Sequence, residues 1–361
     1  MQKVLVYPYD REFAPCLRHR DMLEGYVIDR VVSPSGWGLN GKDAGIVDGG
    51  TKLGLIVTDD FSDGLKSCDT VFLVDSQHLI DHEQLIKPRI IEALNAKKNV
   101  LPLLPLSAEF FGANLLSAIS QKPDILEFDP YYEMNKIDTP VVGVIGIASD
   151  ADKFYIQLAL RQEFKKLGYK VSQIGSRPYS ELFGIHSFPQ YIFNAPISET
   201  EKIKAFNCFV KAIEDREKPD VIILGVPGEM MPFNDRIYTD FGLLPFEVFQ
   251  AIQADALVVS IFAERISKEY LEEINYFCRY RFGLMADCFN LSHQIIDWIE
   301  MGNRPRQIDT CTISISQIEE MKNRYVRDFK MPVFDAIDSN DASHMAELLI
   351  RKLQSYSLQE V

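Results

Sequence analysis

The chain has 361 residues, 47% of them hydrophobic and 25% charged, with a formal net charge of −14. That length suits two domains, each able to bury a core without disulfides or structural metal, and the composition is that of a folded chain rather than a disordered one. The acidic balance argues against non-specific nucleic-acid binding and against docking on anionic lipid.

The apolar run Val4-Leu5-Val6-Tyr7 is short and is followed by Pro8 and Asp10, so it reads as a strand over 3–9 rather than as a signal peptide. A second strand is expected over 26–33. It runs into the glycine-rich loop Ser35-Gly36-Trp37-Gly38-Leu39-Asn40-Gly41-Lys42-Asp43, in which Gly36 and Gly38 do not make a dinucleotide fingerprint. Further strands are expected over 52–58, 70–75 and 99–104. A helix is expected over 82–96, where Leu85, Ile86, Ile90, Ile91 and Leu94 recur near helical spacing. This alternation describes a Rossmann-like α/β domain over 1–135. The polar segment 128–140, with Pro130 and Pro140, reads as the boundary.

A second α/β series follows over 139–361. Its first strand, over 141–147, is apolar on both faces, as a buried parallel strand requires. A helix over 153–167 is stopped by Gly168, a natural left-handed C-cap residue. Strands are expected over 169–174, 220–226 and 256–262, and helices over 268–280, 291–300, 314–327 and 341–353. The fold class is therefore α/β: a Rossmann-like domain, then a P-loop-NTPase-like domain with a parallel sheet and a helical C-terminal part.

No stretch is apolar enough to span a membrane. The cysteines at 16, 68, 208, 278, 288 and 311 form neither a Cys-x-x-Cys pair nor a zinc spacing. Reduced cysteines in a cytoplasmic protein, with no metal site, are the expectation.

The strongest local signal is Val141-Val142-Gly143-Val144-Ile145-Gly146-Ile147-Ala148-Ser149-Asp150-Ala151-Asp152-Lys153-Phe154, a loop between a buried strand and a helix. The spacing from Gly146 to Lys153 resembles the longer phosphate loop of the dethiobiotin-synthetase and cobyrate-synthase group. There a glycine precedes the lysine and a threonine follows it. A working loop binds phosphate with backbone N–H groups, the lysine and the helix dipole, and holds Mg²⁺ through the hydroxyl after the lysine. Here Phe154 replaces that hydroxyl and Asp152 replaces the glycine. Two like charges ~4 Å apart repel by about 4 kcal/mol at an effective dielectric near 20, so Asp152 and Asp150 oppose a bound phosphate. Ordinary Mg-dependent NTPase activity is disfavoured, no cofactor is expected, and whether the chain is an enzyme stays open. Three readings stand side by side: an inherited structural loop, a site for a ligand other than a nucleotide formed by Gly146, Ser149, Asp150, Asp152 and Lys153, and a rewired enzyme in which a carboxylate replaces the hydroxyl as metal ligand.

Ligands of open α/β sheets sit beyond the carboxyl ends of the strands. The loops there add Arg177, Glu181 and His186 after the strand over 169–174, and Glu229 after the strand over 220–226, as further candidates. Each also reads as an ordinary turn residue, the preferred reading for Arg177, Glu181 and His186 taken singly and an equal one for Glu229. Asp240-Phe241-Gly242 spells the kinase magnesium motif without its partner motifs, and reads as chance.

The Ser35-Gly36-Trp37-Gly38-Leu39 loop, Gly41-Lys42-Asp43, the loop with Lys153, and Ser180-Glu181-Leu182-Phe183-Gly184 leading to Phe188-Pro189 together resemble the clostridial peptide maturation system proteins associated with radical-SAM maturases of Cys-rich peptides. Domain order and loop position are more distantly similar to the P-loop family that includes the D-glutamate N-acetyltransferases. The first resemblance implies an accessory role in making a ribosomal peptide natural product of the bacteriocin kind, with a precursor peptide or a radical-SAM maturase as partner, bound through the degenerate loop and the cleft between the domains. The second implies a ligase or transferase that acts on an amino acid or peptide with a nucleotide or acyl donor. No nucleic acid or membrane partner is expected, and a homo-oligomer is compatible with the sequence.

Overall fold

A computed structural model describes residues 1–76, 81–104, 133–194, 196–303, 308–325, 329 and 331–357. The chain splits into two compact units, Met1–Pro123 with Glu181–Gly184, and Asp124–Ser180 with Ile185–Val361. The expected boundary segment lies outside the described residues over 128–132.

The first unit holds a four-stranded parallel sheet in the order β2-β1-β3-β4, made of β1 (Gln2–Tyr7), β2 (Tyr26–Val31), β3 (Thr70–Leu73) and β4 (Asn99–Pro102). Leu5, Tyr7, Val71 and Leu73 from the strands pack on Phe61 and Leu65, and on Ile86 and Ile90 of the helical segment that the apolar spacing predicts. That segment begins as a π turn, His82–Ile86, and continues as the helix Lys87–Asn95.

The strand expected over 52–58 does not form; its place is taken by two isolated bridges, Val32 to Thr58 and Asp43 to Ile56. The reason is a side chain. The Asp43 carboxylate accepts from the backbone N–H groups of Gly45, Leu53 and Gly54 at 2.8 Å each, so a carboxylate rather than a neighbouring strand takes up the backbone at 53–54. Burial would raise this carboxyl, but the three N–H bonds outweigh it and hold it below the ordinary aspartate range.

The second unit is built on a seven-stranded sheet in the order β13-β10-β9-β5-β8-β6-β7, parallel at every pairing. The strands are β5 (Val141–Gly146), β6 (Val171–Gly175), β7 (His186–Ser187), β8 (Val221–Gly225), β9 (Ala256–Phe262), β10 (Cys288–Ser292) and β13 (Val333–Phe334). β5, β8 and β9 are buried at every position, the pattern of strands covered on both faces. A separate two-stranded antiparallel pair joins β11 (Gln294–Ile296) to β12 (Thr310–Thr312). The helix Lys153–Lys166 ends at Leu167, and Gly168 follows at φ 90°, the left-handed C-cap that the sequence predicts.

Two sequence expectations need correction. The helix expected over 291–300 is instead the end of β10, then β11, then the short helix Trp298–Asn303. Leu291, Ile295 and Ile299 recur at helical spacing, but β9 offers β10 a complete parallel ladder and Asn290 Nδ2 donates to Ser260 Oγ at 2.9 Å inside it. The long helix Glu199–Glu217 was not anticipated, although its start carries a capping box. Ser198 accepts from Glu201 N, and the Glu201 carboxylate accepts from Ser198 N.

Candidate functional site

β5 is the middle strand of the large sheet and delivers Gly146 to its carboxyl end, where the loop 147–152 turns into the helix Lys153–Lys166. The first turn of that helix lies against β8. A Cβ on Gly225 would come within 2.0 Å of the Gln157 amide and would displace it from its present position. The fully buried Gln157 uses its amide three ways. Nε2 donates to Lys153 O at 3.0 Å and to Ser176 Oγ at 2.8 Å, while Oε1 accepts from Ser176 N at 3.0 Å. The loop after β6 is thereby pinned to the helix Lys153–Lys166.

Lys153 does not face outward. It is 4% exposed, and its ammonium donates to Ala148 O at 2.9 Å and to Gly228 O. The first acceptor lies in its own loop, the second in the loop after β8. Asp152 occupies the N-cap position at φ 51° and ψ 22°, a left-handed conformation that a glycine would adopt without strain. It does not cap its own helix. Its Oδ2 accepts from Ser292 Oγ and His293 N at 2.8 Å each, at the end of β10. Phe154 is 2% exposed and packs edge-on against Tyr179, with ring centres 5.6 Å apart. The residue in the hydroxyl position therefore belongs to the core. Ser149 Oγ donates to Glu229 Oε1 at 2.6 Å at the exposed mouth of the loop.

Ser149 with Glu229, Lys153 with Ala148 and Gly228, and Asp152 with Ser292 and His293 are thus three separate links around one loop, which Gly146 of β5 precedes and in which Asp150 is half-buried. Arg177, also half-buried, lies on the loop that Gln157 pins, where its carbonyl accepts from Ser180 Oγ at 2.6 Å. Glu181 is exposed and lies in the segment grouped with the first unit. His186 engages the C-terminal end of the helix Glu199–Glu217 instead. Its Nε2 is 2.6 Å from Glu217 Oε1, and the Phe209 ring lies at its edge. Burial would raise the Glu217 carboxyl, but hydrogen bonds from Ser172 and His186 outweigh it and hold it below the ordinary glutamate range.

The sequence reading missed Ser292 and His293, which bind Asp152, and Asp335, whose Oδ2 lies 2.9 Å from Nε2 of the fully buried His293. A strand assignment at β10 would have placed the first two on a carboxyl-end loop and found them. Among the described residues, no group of three His, Cys, Asp or Glu is placed to hold a metal ion, and no helix is long and apolar enough to cross a membrane.

Searches against family models and against curated proteins match nothing. Solved structures do match. The apo form of a GTPase from Pyrococcus abyssi aligns at 14% identity and a TM-score of 0.33, over 59% of this chain and 97% of that one. Cobyrinic acid a,c-diamide synthase from Mycobacterium smegmatis, with bound ADP and magnesium, aligns at 12% identity and a TM-score of 0.35, over 60% of this chain and 96% of that one. A DUF1611 family protein from Anabaena variabilis aligns at 10% identity and a TM-score of 0.64, over 97% of this chain and 100% of that one. The chain therefore resembles the DUF1611 protein in fold along nearly its whole length, and at that identity the likeness is one of fold alone.

Proposed function

We propose that this chain is an accessory protein in the maturation of a ribosomally made peptide, binding a precursor peptide or its maturase through a phosphate-loop domain that does not act on phosphate. The observation that supports binding over phosphoryl transfer is the engagement of Lys153. In a working loop the ammonium and successive N–H groups point at phosphate oxygens. Here the ammonium donates to Ala148 O and Gly228 O. An entering phosphate would compete with both carbonyls beside the charges of Asp150 and Asp152, and would find Phe154 in the place of the magnesium ligand. The maturation half of the proposal rests on the sequence resemblance carried by the Ser35–Leu39 and Ser180–Gly184 loops.

Calorimetric titration with a small Cys-rich precursor-type peptide, and separately with a radical-SAM enzyme of peptide maturation, tests it. Saturable binding of one of them at micromolar affinity or tighter is the expected result. Absence of binding by both contradicts the proposal.

One observation favours a second reading, a ligase or transferase acting on an amino acid or peptide. Glu229 stands at the end of β8 with its carboxylate 2.6 Å from Ser149 Oγ, at the loop mouth, where a carboxylate could replace the lost hydroxyl as a metal ligand. Magnesium-dependent release of ADP or phosphate in the presence of an amino acid, lost in Glu229→Gln, would support that reading instead.

A further inference from the structure

The segment that leaves β8 is tied to the phosphate loop. Met230 N donates to Gly146 O at 3.0 Å, and Thr239 Oγ1 donates to Met231 O at 2.9 Å. Beyond that tie the chain passes through four successive residues of positive φ: Thr239 at 46°, Asp240 at 50°, Phe241 at 57° and Gly242 at 65°. Left-handed backbone costs about 1–2 kcal/mol for each residue with a Cβ, and a run of three such residues is worth a functional hypothesis. The strain is not offset by burial of the aromatic it carries. Tyr238 is 51% exposed and Phe241 54%, and their rings stack on each other with centres 5.2 Å apart and planes 12° apart.

The other side of the loop repeats the pattern. β8 and β10 lie on opposite sides of β5 in the sheet order. At the end of β10, Ser292 and His293 bind Asp152; β11 follows, and then Trp298 and Ile299 stand 51% and 79% exposed. Both segments that grip the degenerate loop therefore carry unburied apolar side chains. Acidic groups among them outnumber basic ones. Asp150, Glu229, Asp235, Asp240 and Asp297 are exposed or half-buried, against Arg177, Arg236 and Arg281, whose Nη2 donates to Phe241 O at 3.4 Å, while Lys153 is withdrawn into its two carbonyls.

We infer that this rim is the docking surface for a cationic peptide segment that carries aromatic or aliphatic side chains. The inference rests on the accessory-protein reading and names the chemistry of its ligand. The rings supply large, rigid contact area, the carboxylates pair with lysine or arginine and fix which peptides are admitted, and the net charge of −14 steers a cation toward the protein.

The test uses fluorescence anisotropy with a labelled 15-residue model peptide of lysine, leucine and phenylalanine, and a counterpart with every lysine replaced by glutamate. Full-length protein should bind the lysine peptide at least tenfold more tightly than the glutamate peptide. Phe241→Ala, with an unchanged melting temperature, should weaken binding at least tenfold. Asp240→Lys should weaken it similarly, while the equivalent reversal Glu320→Lys, on the exposed side of the helix Ile315–Tyr325, should leave it within twofold. Equal binding of both peptides, or indifference to Phe241→Ala, would overturn the inference. So would a concentration-dependent dimer that Phe241→Ala dissociates, since the rim would then face a second copy of this chain. None of these failures touches the accessory reading, which fails on a different result, absence of binding by both a Cys-rich precursor-type peptide and a radical-SAM maturase.

Discussion

Lys153 and Phe241 sit on neighbouring segments at the carboxyl end of one sheet, and the fold treats them in opposite ways. The lysine, whose usual place is outside, is 4% exposed and donates to two carbonyls; the phenylalanine, whose usual place is inside, is 54% exposed on strained backbone. Around the loop the same inversion repeats. Asp152 is bonded to the end of β10, and Phe154 is packed into the core, while Tyr238 and Trp298 face solvent. The comparison separates groups that hold the fold from groups left exposed on its surface. Changes in the loop should cost stability, and changes on the rim should not.

The largest expected effect is at the buried support of the loop. Asp335→Ala removes the acceptor of the fully buried His293 ring and the oxygen that accepts from Ile337 N at 2.9 Å. A loss of about 2–3 kcal/mol in urea unfolding is expected, the cost of unsatisfied buried donors. Lys153→Met comes next. It leaves Ala148 O and Gly228 O without the ammonium, and about 1–2 kcal/mol should be lost. A lysine that served only a phosphate would show no such loss.

A carboxyl outside the loop carries the contrast into pH. Glu247 is buried, and that burial, helped by the hydrogen bond with Glu199, pushes its carboxyl from 4.5 up to about 8. A raised folded value means that the native state holds a proton the unfolded chain has released. The stabilisation is complete below about pH 4.5 and is lost as the pH rises toward about 8. The melting temperature of the wild type should therefore fall over that window, and Glu247→Gln should flatten the fall. An unchanged slope would show that Glu247 ionises normally.

The smallest effect has the opposite sign. Phe241→Gly removes an exposed ring from a left-handed position and should stabilise by up to about 1 kcal/mol. A loss of 2 kcal/mol or more would make the rim part of the core after all.

Much of the large sheet was legible because its central strands are almost wholly apolar. Val141–Gly146 and Ala256–Phe262 can be little else. The loop was legible because glycine, carboxylates and lysine sit between such a strand and a helix. What escaped was decided across the fold rather than along the chain. The residues around Ile295 repeat apolar positions at a spacing that suits a helix, and only the open edge of β9 makes their first part a strand. Asp43 dissolves an expected strand by bonding to a backbone ten residues away in sequence. The sequence named Asp152 and Lys153 but could not say that their charges turn toward Ser292 and Gly228, because those partners lie 140 and 75 positions along the chain. Phe241 was set aside as part of a chance motif, since nothing local announces a left-handed run.

The most direct measurement is calorimetric titration of the full chain with ATP and with GTP, each with and without magnesium, on the wild type and on Lys153→Ala. A structural lysine predicts no saturable heat at millimolar nucleotide for either protein. Saturable binding by the wild type that Lys153→Ala abolishes would contradict the account and return the loop to nucleotide chemistry.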